Sequence, residues 1–137
     1  MLIPKLTLYL HYKLTLKIME TIKNIRPKEQ KKINAYHEDL ITSKSAMLFN
    51  YDGSIEQVQA NHEGMISNDI LEELVEGFIK VTHIGDNYIL ITNDEGFANG
   101  LPYNDDATKI FRSYFALGED DEFIVGNALI VNNTMID

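Results

Sequence analysis

From Leu6 to Ile18 the apolar residues Leu6, Leu8, Leu10, Tyr12, Leu14, Leu16 and Ile18 fall on every second position, with Thr7, His11, Lys13, Thr15 and Lys17 mostly between them. Period two is the signature of a half-buried strand. Thirteen residues is long for a strand, and Met19 opens a second natural start. The segment is therefore read either as an edge strand or as an upstream extension. Further on the period changes. Pro27 suits a first helical turn, and Ile33, Tyr36 and Leu40 recur at helical spacing, which predicts a helix from Pro27 to Ile41. Two strand-like runs, Ala46 to Asn50 and Ile55 to Ala60, flank Asp52-Gly53, a dipeptide that favours tight hairpins.

After Gly64, any of Ser67, Asn68 or Asp69 can cap a helix that places Ile70, Leu71, Leu74 and Val75 on one face and stops at Gly77. Phe78 to Ile84 and Tyr88 to Thr92 read as a second hairpin, turned at Gly85-Asp86-Asn87. Regularity fails from Asn93 to Asn104, a run too rich in turn formers to continue any element. Asp105 or Asp106 then caps a helix whose apolar face is Ile110, Phe111, Tyr114 and Phe115, ended by Gly118. Phe123 to Val131 is almost continuously apolar apart from Gly126-Asn127, which predicts a strand buried on both faces near the centre of a sheet. The pattern describes an α+β fold: a mixed, mainly antiparallel sheet of about five strands with two packed helices, plus an N-terminal strand and helix.

Charge divides the chain where the periodicity does not. Residues 1 to 50 hold nine Lys or Arg against four Asp or Glu, and residues 51 to 137 hold three against seventeen. The split suggests a basic extension over residues 1–44 and an acidic domain over 45–137. An acidic body repels phosphates, which argues against nucleic acid as a partner. With no cysteine there is no disulfide, thiolate metal site or cysteine nucleophile. No apolar run reaches the ~20 residues of a membrane helix. A soluble cytoplasmic protein without a membrane partner is expected.

The search for chemistry returns little. His11, His37, His62 and His83 stand in no catalytic or zinc-binding pattern. The paired carboxylates Asp94 with Glu95, Asp105 with Asp106 and the run Glu119 to Glu122 do not match a calcium loop. Gly96 and Gly100 lack the lysine that completes a phosphate-binding loop. The expectation is a protein that is not an enzyme and uses no cofactor. Asn93, Glu95, Tyr103, Asn104, Arg112 and Tyr114 are the candidate ligand-binding residues. Amides, aromatic faces and a guanidinium are what a flat anionic molecule would require, while the competing reading has the asparagines satisfying turn backbones and the tyrosines filling the core.

Glu76-Gly77-Phe78-Ile79, Thr92-Asn93-Asp94-Glu95-Gly96, Gly100-Leu101-Pro102-Tyr103-Asn104 and Ile124-Val125-Gly126-Asn127 occur in that order. In them the chain resembles domain-of-unknown-function family 3846 over about residues 47–131. Lys80 stands where that family often has an acid. The resemblance implies a small protein of phages, plasmids or their hosts with no established activity, and by analogy an accessory factor acting on host defence. Two functions follow as expectations. One is sequestration of a small nucleotide-type immune signal without catalysis. The other is an acidic inhibitor that mimics nucleic acid against a basic host protein through Glu119 to Glu122. A homo-oligomer is compatible with either.

Overall fold

A computed structural model describes residues 20–22, 24, 27–85, 87–115 and 122–136. The strand expected over Leu6 to Ile18 lies outside the described residues. Five strands form one sheet: β1 (Ser45–Phe49), β2 (Ile55–Gln59), β3 (Ile79–His83), β4 (Tyr88–Asn93) and β5 (Ala128–Asn132). Their spatial order is β2-β1-β5-β4-β3, and every pairing is antiparallel. The architecture is α+β, and the described sheet has no parallel pair.

Both hairpins form where Gly53 and Gly85 supply the left-handed backbone of their turns, at φ 95° and 96°. Asp52 tightens the first turn by accepting from the Ser54 backbone N–H and hydroxyl at 2.8 and 2.6 Å, which holds its carboxyl below the ordinary aspartate range. The last strand, β5, enters between the hairpins. Ile130 pairs with Met47 on one side and Leu90 on the other, and Leu129 pairs with Leu48 and Ile91. All four of these partners, and both central residues, are buried. A strand covered on both faces cannot alternate apolar with polar residues, which is why this segment is so uniformly apolar.

Residues opposite each other across an antiparallel pair share a face, so the sheet has two sets of inward side chains. Met47, Ile130, Leu90 and Thr82 belong to the first, and Leu48, Leu129, Ile91 and Val81 to the second. Helix α1 (Gln30–Ile41), entered through a 3-10 turn at Pro27–Glu29, lies on the first face. There Asp39 accepts from Gln57 Nε2 at 2.8 Å, and the His37 ring sits 6.3 Å from that of Tyr88. Ile33, His37 and Leu40 are its buried residues. Helix α3 (Asp105–Phe115) covers the other half of the same face, with Phe111 and Phe115 across a cleft from Lys80, Thr82 and Thr92.

Helix α2 (Asn68–Val75) takes the second face, burying Leu71 and Val75 and leaving Ile70 exposed. Ser67 is its cap, accepting from the Ile70 N–H at 3.4 Å. Its left-handed terminal residue is Glu76, at φ 66°, rather than Gly77. Gly77 answers a different need: a Cβ there would lie 2.7 Å from Asn93 Nδ2. Gly118, the expected end of α3, lies outside the described residues.

Candidate functional site

The turn-rich segment from Asn93 to Asn104 is held at both ends by a buried asparagine. Asn93, the last residue of β4, donates from Nδ2 to the Val75 carbonyl at 2.9 Å and accepts the Glu95 N–H at 2.8 Å. Asn104 donates to the Phe49 and Gly126 carbonyls, both at 2.8 Å, and accepts the Ala107 N–H at 3.0 Å. Asn104 is therefore the cap of α3, where Asp105 or Asp106 had been expected. Asp105 instead pairs with Lys109 at 3.0 Å, and Asp106 is buried.

Between these anchors the loop is fastened to the segment that leads into β5. Tyr103 bridges to Val125, Asn104 N–H donates to Ile124, and Gly126 N–H donates to Pro102. Gly96 permits this approach, since a Cβ there would lie 2.9 Å from Val125 Cγ2. The amides of Asn93 and Asn104 are thus occupied in holding the fold.

What this framework presents to solvent is aromatic. Phe97 is 64% exposed, and its ring lies 5.1 Å from that of Phe123, edge to face; the Tyr103 ring lies 5.5 Å from Phe123, tilted by 51°. Phe97 and Phe123, with Phe111 and Phe115 of α3, border a cleft of about 580 Å³. Its sheet wall is polar: Lys80 and Thr92 are register partners, and Thr82 follows on the same face. Asp94 and Glu122 complete the ionisable groups of the lining.

Of the six residues expected to bind a ligand, only Asn93 reaches this cleft. Glu95 is exposed on the loop. Tyr103 touches Phe123 but does not line the cleft. Tyr114 is half-buried, edge-on to Phe115 at 4.7 Å, and Arg112 is half-buried on α3. The structure does not gather these residues into one site. Phe97, Phe115, Phe123, Thr82 and Thr92 are the residues that sequence reasoning missed. Only the even spacing of Lys80 and Thr82 on a predicted strand, which puts them on one face, could have signalled part of the set.

The lining holds no histidine; its side-chain hydroxyls are those of Thr82 and Thr92, and its ionisable groups are Lys80, Asp94 and Glu122. Among the described residues no group of three His, Asp or Glu could hold a metal ion. Of the acidic run Glu119 to Glu122, only Glu122 is described. No described helix is long and apolar enough to cross a membrane. No family model, curated protein or solved structure matches the chain.

Proposed function

We propose that this chain is a non-catalytic binding protein that captures a flat, nucleotide-type molecule in the cleft between β3, β4, α3 and Phe123. The observation that carries the reading is the exposure of Phe97 and Phe123 at the mouth of a cleft of about 580 Å³. That volume is in the ordinary range for small-molecule sites, ~300–1,000 Å³. An exposed phenylalanine in an otherwise polar turn contributes nothing to the core. As a stacking surface for a base it contributes about 1 to 3 kcal/mol.

Lys80 is the polar anchor for a phosphate, and Thr82 and Thr92 supply hydroxyls beside it. Because Asp94 and Glu122 share the lining, the ligand that fits carries few negative charges, a phosphodiester rather than a polyphosphate. In the setting implied by the sequence resemblance, such a ligand is an immune signal held out of circulation by a phage or mobile-element protein.

Titration calorimetry with a panel of cyclic nucleotides and cyclic ADP-ribose isomers tests the reading. One member should bind, and Phe123→Ala should weaken it about 5- to 150-fold, the equivalent of ~1 to 3 kcal/mol. Lys80→Ala should weaken charged members more than the corresponding nucleosides. Intact ligand recovered after heat denaturation separates capture from hydrolysis. No heat from any member at high protein concentration overturns the reading.

A further inference from the structure

The two edges of the described sheet differ. β2 turns the backbone groups of Ile55, Gln57 and Gln59 outward, because Asn50 pairs with Ser54 and Ala60 with Lys44 across β1. It also exposes Glu56 and ties the Gln57 amide to Asp39 and Ser45. At the opposite edge, Asp94 N–H donates to Phe78 and Ile84 N–H to Tyr88, so the even-numbered residues of β3 bond to β4. Ile79, Val81 and His83 consequently direct their N–H and C=O groups away from the sheet. No proline guards that edge, and apolar side chains flank it: Phe78 is 71% exposed and Val81 42%.

We infer that two copies of this chain pair through β3, antiparallel about a two-fold axis at Val81. The register follows from the strand itself. Centred there, Val81 meets its own copy and Ile79 meets the partner's His83, so every outward backbone group in β3 finds a hydrogen-bond partner. Lys80 falls opposite the partner's Thr82, so the lysines do not face each other. A register centred on Lys80 or Thr82 would pair only two of these three residues within β3, sending His83 or Ile79 past the end of the strand, and one centred between two residues would set outward groups against inward-bonded ones.

The pairing completes the cleft. A two-fold axis of this kind is perpendicular to the sheet, so both copies present the Lys80, Thr82 face on the same side. Residues directly opposite in an antiparallel pair have Cβ atoms ~4.5–5.5 Å apart. The partner's Lys80 therefore stands beside Thr82, giving each cleft a second cation to offset Asp94 and Glu122. This second role rests on the ligand reading above; the pairing itself does not.

Sedimentation of the full chain without ligand tests the pairing. The mass should rise with concentration toward twice 15.7 kDa. Val81→Lys and Val81→Asp should each remain at the single-chain mass, and an equimolar mixture should recover the dimer, because only this register sets position 81 against itself. Val81→Pro checks the result should a charged variant unfold, since the Val81 N–H faces away from β4 and its loss removes no bond of the described sheet. A wild-type monomer at every concentration overturns the inference, including one that dimerises only after residues 1–18 are removed. Dimers that persist in both charged variants also overturn it, as does a mixture that stays monomeric. Val81→Lys, whose new charge lies on the face away from the cleft, should bind a phosphodiester ligand about tenfold more weakly; unchanged affinity overturns the shared cleft while leaving the mass measurement to stand on its own.

Discussion

Asn104 shows how one side chain can join three parts of a chain. Its Nδ2 serves the carbonyl that closes β1 and the carbonyl of Gly126 ahead of β5, and its Oδ1 starts α3, all at 1% exposure. A neutral amide is the one small side chain that donates twice and accepts from the same place. Asn104→Ala strands two buried carbonyls and uncaps the helix, so it should cost about 3 to 5 kcal/mol, measured as a shift in urea unfolding. Asn104→Asp keeps the acceptor but sets a carboxylate against two carbonyl oxygens. It should be at least as destabilising at neutral pH and recover part of the loss as the carboxyl protonates on acidification. The sequence made this residue conspicuous because its amide offers so much hydrogen bonding. It could not say whether the partner was a ligand or Phe49, which is far away along the chain and adjacent only in the fold.

At the scale of elements, periodicity located α1 to α3 and β1 to β5, and it placed β5 centrally, because burial on both faces leaves a direct trace in composition. Ends were harder to read. At the end of α2 the sequence offers Gly77 as the obvious left-handed residue, yet Glu76 adopts that conformation and Gly77 is required for its missing side chain. The two positions should respond oppositely. Glu76→Gly relieves a strained backbone and should stabilise by about 0.5 to 1 kcal/mol, while Gly77→Ala presses on the Asn93 amide and should destabilise by about 1 to 3 kcal/mol. Thermal unfolding of the two variants reads both signs. The cleft was the least legible feature for a related reason: Phe97 lies in the turn-rich run, where no period marks which way a side chain faces, and the apolar pattern reads Phe123 as the start of a strand that begins only at Ala128.

At the scale of the whole molecule, charge and burial give different accounts of where the chain divides. The change from basic to acidic near residue 45 is a property of surface side chains. Ile33 and Leu40 of α1 are each 1% exposed and belong to the same apolar cluster as Met47, Phe49, Leu90 and Ile130. Burying a residue of that size contributes about 1.5 to 3 kcal/mol, and removing α1 would also return part of the first sheet face to water. Those losses together approach the ~5–15 kcal/mol that holds an ordinary domain folded. A chain beginning at Ser45 should therefore lose its cooperative thermal transition and its dispersed amide proton resonances. Ile33→Ala and Leu40→Ala in the full chain should each retain both, with stability lower by about 2 to 5 kcal/mol. A cooperative transition in the shortened chain would instead make residues 45–137 a domain in their own right and α1 an addition to it.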